Sequence, residues 1–550
     1  MSGLTLYGRF QKSSRVSTDF GIYGFQGGLN VKDLPEQVGP NDLTIALNGY
    51  LRPGGGFASR YGMELRNTLG SGPIQGIFRY YRAIVNGSSV PPTARTIVQS
   101  GTTLYWAELG TVIGTVASGS QPFTAVQIQN PNDKYYPNGL TDCAVICTGA
   151  GGPYVYDGVR LYVPAGWAAA SGARWCAVVN GILWFGGIPG YPNQIFGTGT
   201  GEEDDGSMQS LPAERNFVYT SSVVGLCAVG TGATAVLAVG RTTGITVLSG
   251  TGSTNFYQQD LPMADGVTAG RTMVALPNGQ LSWLGNQAVY ITDTQSAPQP
   301  LSYKVEPYIL NDLIIGGYPI SARSSCFSWV YNNRLHLGYY SGGAYPGYGA
   351  VPPANTILVY DLMLGGWTVL QTTPGISCAT LMNAPSDPSP WVCLVGSSSS
   401  ANVYTWDVEP VLGQTATDNG TPFTVTMQTK YFKLGEPGTV KALRRQYPEF
   451  FACGTLNVNV TAATDYGTSI TNNEVLYPFA STVAQWDVSK WDEAVWAPSA
   501  SFAPIVAPQT RVDYDGVAGD SFAFGVTTSV ANPPWMYGGV TGVFHQRGRV

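Results

Sequence analysis

The 550 residues are too many for one ordinary domain, so two or three are expected. Charged residues make up only 11% of the chain, against roughly 25% in a typical soluble domain, while 32 Tyr, 13 Trp and 20 Phe give a high aromatic content. The net charge of −6 excludes a general nucleic-acid-binding surface, and no apolar run approaches the roughly 20 residues that span a bilayer.

Sparse charge with many aromatics has two readings. Either partners cover much of the surface, or a Gly-, Ser- and Thr-rich β protein stays soluble on neutral polar groups. A mildly acidic wall repels DNA at short range, which suits a conduit better than a binder. The start, Met1 to Lys12, lacks the basic-then-apolar pattern of a secretory signal, which predicts a protein made and kept in the cytoplasm.

Residues 1–75 are Gly-rich with short strands and form a distinct N-terminal platform segment. From residue 76 to 410 a strand–turn–strand unit recurs at 97–106, 144–156, 176–185, 227–237, 273–283, 326–337 and 378–394. Most steps are roughly 50 residues and one is nearer 30, the range of propeller blades. Two successive β-sandwiches would give similar local patterns without the period, so the period favours a β-propeller of about six to eight blades. Asn-Gly pairs begin at Asn48, Asn86, Asn138, Asn180, Asn278 and Asn419, and supply the positive φ of two-residue hairpin turns. Helical periodicity is confined to one short candidate, residues 305–315. Residues 411–550 follow a linker-like stretch and carry strand candidates at 423–432, 456–462, 510–514 and 522–528. They predict a small C-terminal β-sandwich, completed in part by the N-terminal segment, so the fold class is all-β.

Chemistry is sparse. Eight scattered cysteines form no CxxC pair and read as reduced core residues, Cys143 and Cys147 included. The two histidines, His336 and His545, sit in no triad motif, and His336 lies in an alternating run where it packs against a neighbouring strand. No phosphate-cradling or metal motif is present, so no cofactor and no catalysis are expected. Glu202, Glu203, Asp204 and Asp205 are the one acidic cluster: a solvated loop, a weak cation site or a channel lining. Lys430, Lys433, Lys441, Arg444 and Arg445 concentrate basic charge around a turn at 435–438, with Tyr431, Phe432, Tyr447, Phe450 and Phe451 interleaved. This reads as a hairpin whose charges face water, or as a patch that meets a protein neighbour.

The chain ends resemble a known family. Phe25-Gln-Gly-Gly-Leu-Asn30, Asp33, Pro35, Asn48 and the Gly-rich run from Gly54 to Arg60 and Gly62 resemble the opening of tailed-bacteriophage tail nozzle (tail tubular protein B-like, or stabilisation) proteins. Residues 429–432, 435–438 and Lys441, then Pro533-Pro-Trp535, Gly538-Gly-Val540 and Arg547-Gly-Arg549, are similar to that family's closing elements. The resemblance covers the two ends, about a third of the chain. It implies a non-enzymatic virion subunit, assembled in the host cytoplasm. Such subunits form a ring (a hexamer) that continues the DNA exit channel below the portal and its adaptor, and bear tail fibres or distal tail proteins; DNA is present only in transit. Contacts in such a ring are head-to-tail and close by rotation. On this reading Lys430–Arg445 is an inter-subunit or adaptor-facing contact, and Glu202–Asp205 faces the channel. The rival reading is a carbohydrate-binding or carbohydrate-degrading propeller, with Trp106, Trp184 and Trp283 as sugar-stacking platforms, although the same tryptophans fall in predicted blade strands, which favours core packing for them.

Overall fold

The computed structural model describes residues 17–34, 36–82, 93–117, 122–129, 142–158, 160–200, 208, 210–250, 255–262, 265–310, 323–341, 354–382, 392–410, 414–434, 439–476, 503–504, 510–515 and 517–549. Nearly all of the described regular structure is strand; the first part of the predicted helix appears as Glu306–Leu310, behind a 3-10 turn at Tyr303–Val305, and 311–315 lie outside the described residues. No helix among the described residues is long and apolar enough to cross a membrane.

Five separate four-stranded sheets follow one another along the chain. The first is built from Ile74–Arg82, Thr93–Ser100, Thr103–Trp106 and Thr111–Thr115, each antiparallel to the next. The others run over 124–162, 175–218, 223–260 and 274–300. Two further arrays belong to a larger, curled sheet. One joins Phe327–Tyr331, Arg334–Tyr339, Ala354–Asp361 and the first part of Trp367–Met382. From Ile376 onward that same long strand opens the other array, followed by Val392–Ser397, Asn402–Trp406 and, from far upstream, Gly62–Thr68. The first strand of each array packs beside the first strand of its neighbour, and the last array returns to the first through Ile74–Arg82. The result is a seven-bladed propeller.

The blades follow from their sequence pattern. Third-blade strands Trp175–Val179 and Ile182–Gly186 are almost wholly buried, because both of their faces pack on neighbouring blades. A continuous apolar run, rather than alternation, is the signature of a strand covered on both sides. Asn180 and Gly181 connect them at φ 52° and 78°, and Val179 pairs with Ile182 across this two-residue turn. Outer strands are polar and short, as in Tyr257–Asp260, where all four residues are exposed. Short outer strands limit the open edge each blade presents.

The chain ends build a second unit. Strand Thr439–Ala452 pairs along its length with Trp535–Arg549, which on its other side takes Ser17–Tyr23 and Phe57–Ser59. Facing this sheet, Val425–Thr429, Ser521–Thr528, Leu456–Thr464 and Thr468–Leu476 form a second layer. Phe522 and Phe524 of the second layer meet Phe544 of the first at 4.7 and 6.4 Å between ring centroids, closing a β-sandwich. Asp42–Leu47 joins the second layer and Gly49–Leu51 the first, so the chain changes sheets at Asn48. Asn48 therefore makes a corner instead of the hairpin its Asn-Gly pair predicts; its φ of 57° is used to turn the strand out of the sheet. Because Gly62–Thr68 completes the seventh blade, the propeller extends upstream of residue 76.

Sandwich and propeller share backbone. Gly28 and Leu47 pair in parallel with Trp367 and Val369, so the sheet of the sixth blade continues into the sandwich. A Cβ on Gly28 would lie 2.6 Å from the Trp367 nitrogen, which is why the Gly-Gly-Leu-Asn run needs glycine there. At the same joint Arg60 is fully buried and forks onto Asp418, with both oxygen contacts at 2.6 Å. Its Nε donates to Asn48 Oδ1 (3.1 Å), Nη2 donates also to the Gln371 carbonyl (2.8 Å), and the guanidinium lies 3.7 Å from the centre of the Phe423 ring. A buried pair of this kind, once half of it is removed, strands a charge at a cost of about 3–5 kcal/mol. Asp418→Ala is expected to lower unfolding free energy by about that amount in urea titrations, whereas Arg60→Met with Asp418→Leu costs much less. Equal unfolding curves for wild type and Asp418→Ala would remove this pair as the joint.

Candidate functional site

The basic residues singled out above come together at one end of the sandwich, but not as a hairpin. Lys430 and Lys433 belong to the layer that includes Phe432–Lys433 paired with Ser521 and Phe522, while Lys441, Arg444 and Arg445 lie on Thr439–Ala452 in the opposite layer. The turn expected at 435–438 lies outside the described residues. Alternation within 423–451 looks the same for a hairpin and for a crossover, so the sequence does not separate the two.

Every one of these cations is met from within the chain. Lys433 contacts Glu36 at 2.6 Å, Lys441 contacts Asp520 at 3.4 Å, and Arg444 and Arg445 contact Asp515 and Asp513 at 3.7 and 3.2 Å. The Lys430 ammonium donates to the Val38 carbonyl and lies 5.8 Å from the centre of the Phe432 ring. The hydrogen bond from Lys433 holds the Glu36 carboxyl below its ordinary range, and the same bond raises Lys433. The cluster is therefore four cations paired with carboxylates and one held by a carbonyl, and not a bare polycationic face. Arg444 and Arg445, with Asp513, Asp515, Tyr514 and His545, also line a cleft of about 360 Å³. Arg445 and Asp513 are each about half exposed, so this cleft can exchange its internal pairs for pairs with a neighbour. Tyr431 and Tyr466 stand together, ring centroids 4.5 Å apart, near Lys433. Glu202, Glu203, Asp204 and Asp205 lie outside the described residues.

Other groups with chemical potential are in the core. His336 pairs with Trp329 across its blade, as the alternating run predicts, and stacks on that indole at 4.8 Å with Trp406 at its edge. Burial, helped by the Arg334 charge, pushes the imidazole down to about 3. Six cysteines are buried and two half-buried, all as free thiols, and burial pushes Cys326 up to about 12. Trp184 and Trp283 are fully buried, packed on Phe217, Phe256 and Tyr290, so neither offers a face to a sugar. Trp106 is half-buried beneath Arg95. Among the described residues no group of three or more His, Cys, Asp or Glu is placed to hold a metal ion.

Sequence reasoning passed over the arginines of the propeller centre. Arg174, Arg271 and Arg323 each stand two or three residues ahead of an apolar unit that begins at Cys176, Met273 and Cys326. That recurrence is the signal that identifies them. Arg271 leaves the fifth blade, lies 4.7 Å from the centre of the Phe327 ring in the sixth, and donates to the Ser377 carbonyl of the seventh at 2.6 Å. One side chain thus ties three successive blades together.

A neutral His336 in the native state and an ordinary one near 6.5 in the unfolded chain fix the sign of a pH effect. The unfolded state binds the extra proton between these values, so stability is complete above pH 6.5 and falls toward pH 3, by about 1.4 kcal/mol per pH unit. Urea titrations at pH 7, 6, 5 and 4 are expected to show His336→Phe losing this component while wild type keeps it. Identical acid slopes in the two proteins would mean that the ring is not held neutral.

No protein-family model matches the chain, and no curated protein matches it in sequence. Among solved structures, it is similar to a streptogramin B lyase (9% identity, 64% of this chain and 97% of that one, TM-score 0.35). It is also similar to the extracellular domain of the putative one component system BT4673 from B. thetaiotaomicron (9% identity, 90% and 63%, TM-score 0.40). A third similarity is to PorZ, a surface component of the type-IX secretion system of Porphyromonas gingivalis (10% identity, 74% and 46%, TM-score 0.34).

Proposed function

We propose that this chain is a structural, non-catalytic subunit of a bacteriophage tail. In this reading copies of it close into a ring, the nozzle, that continues the DNA exit channel below the portal and adaptor and takes part in genome retention and ejection. The virion is its place of action, and tail fibres or distal tail proteins are its other neighbours.

The observation that carries the reading is the convergence of the two family-like ends. Asn30 donates to Asp33 and Asp42 at 2.9 Å each, and Lys304 closes on Asp42 and the Gly27 carbonyl. Arg60 donates to both Asn48 and Asp418, and Asn48 also accepts the Gln371 N–H from the long strand of the sixth and seventh blades. Ser59 exchanges hydrogen bonds with the backbone of Trp535, and Thr429 receives the Phe524 N–H. Residues that resemble one family at opposite ends of the sequence therefore serve one structural unit, which a chance match of scattered short motifs does not require. Low charge and internally paired cations support association through apolar and polar surface more than through a net field.

Electron microscopy of the purified chain, with its native mass, is expected to show closed rings of six copies with a central channel. Arg444→Glu with Arg445→Glu is expected to leave the thermal transition within a few degrees, since exposed pairs contribute about 0–1 kcal/mol each, and to abolish the ring. Rings that persist in the double reversal would move the interface away from this cleft. A chain that stays monomeric and never joins a tail particle from lysate would overturn the reading as a whole.

A further inference from the structure

The third to sixth blades present the residues just ahead of their innermost strands to one concavity of about 220 Å³. Its wall includes Arg174 and Trp175 from the third blade, Ser222 from the fourth, Thr268 and Gly270 from the fifth, and Ser324 from the sixth. Among the described residues the wall contains one guanidinium and three hydroxyls, and no carboxylate. Gly270 keeps two sides close, since a Cβ there would fall 1.6 Å from the Val224 carbonyl oxygen and 2.7 Å from the Trp175 ring.

A second positive charge stands nearby. Arg271, next in sequence to Gly270, is held by the Ser377 carbonyl and the Phe327 ring. Burial lowers both arginines from their ordinary range, Arg271 to about 10, and the like charge of Arg174 adds to the effect on Arg271. Two like charges withdrawn from water are stabilised by an anion placed between polar donors. The volume is below the roughly 300–1,000 Å³ of sites for drug-sized ligands, so it fits one small group and not a polymer chain.

We infer that this concavity binds a small oxyanion: a carboxylate, sulfate or phosphate group, free or carried on a single sugar residue. Arg174 supplies the charge, and Ser222 and Ser324 supply hydroxyl donors around it, while the Thr268 hydroxyl is donated to Asn286 Oδ1 at 3.2 Å. The inference stands on the propeller centre alone and is independent of the ring.

Calorimetric titration of the full chain with sodium sulfate, sodium phosphate and sodium glucuronate, at matched ionic strength, tests it. Saturable one-site binding of at least one of them is expected, weakened about tenfold or more by Arg174→Gln, because charge-assisted hydrogen bonds are about twice as strong as neutral ones. Ser324 is exposed at the rim, so Ser324→Trp is expected to block the same binding without moving the thermal transition. That variant decides the matter if Arg174→Gln does not fold. Glucuronate binding well above the two inorganic ions assigns the site to an acidic sugar, and equal binding assigns it to the oxyanion itself. No saturable heat with any of the three, or unchanged affinity in Ser324→Trp, would overturn the inference.

Discussion

The fold depends on the buried fork between Arg60 and Asp418. Each of its partners comes from a different part of the chain: Asn48 from the corner where the N-terminal segment changes sheets, Gln371 from the strand shared by the sixth and seventh blades, and Phe423 from the approach to the sandwich. Thr373 also donates its N–H to Asp418, at 3.3 Å. A guanidinium offers five donors in a fixed plane, and here carboxylate, amide and carbonyl oxygens are arranged around that plane. Apolar contact of equal area would hold the same segments together, but it would not fix their register. Buried polar networks that are fully paired specify one arrangement over its near neighbours.

The joint matters because the propeller is closed by strand pairing within one blade, backed by apolar packing of Ile74 and Ile77 on Leu394 and Val403. Its seventh blade takes its outermost strand from residues 62–68 and its three inner strands from residues 376–406, so ring closure brings chain positions more than three hundred apart into one sheet. Asn419 donates its N–H to the Met63 carbonyl, and a Cβ on Gly62 would lie 2.1 Å from the Thr417 carbonyl oxygen. Closing strand and Arg60 fork are thus two residues apart. Whatever loosens the fork also loosens the blade, which makes sandwich and propeller one cooperative body and not two domains on a linker.

Much of this was legible in the sequence, and the limits of legibility have particular causes. Each of the seven repeated hairpins falls in a different blade. In the first two blades the recognisable hairpin is the second and third strands, as in Ala144–Tyr156; in the later five it is the first and second, as in Cys176–Phe185. That change of position within the blade produces the single short step of about 30 residues. The cause is burial: the most continuous apolar run marks the strands covered on both faces, and these are not the same strands in every blade. The turn at Asn180 was legible because its φ demand is local, whereas the corner at Asn48 was not, since its geometry is set by Arg60, Gln371 and Thr424 far away in sequence. Charge was the least legible property. Lys430 to Arg445 reads as a basic stretch only while Glu36, Asp513, Asp515 and Asp520 are out of view.

The propeller centre limits how such a chain can serve as a conduit. Arg271 reaches from the fifth blade past the sixth to the seventh, and large buried side chains such as Trp283 and Trp367 fill the blades around it. Blades held together by such buried side chains are a poor path for a nucleic-acid duplex, so the nozzle reading proposed above puts the DNA path between copies and not through the propeller of one. A channel of that width has to be enclosed by several copies, with the wall supplied by surfaces that face one another across the assembly axis. This places the demand on the exterior. The outer strands expose apolar side chains singly, Val112, Val218 and Tyr257 among them, on a perimeter with few charges. Such a perimeter suits contacts made over wide areas by neutral surface, where each outer strand contributes little and a closed ring of the kind proposed would make many of them at once.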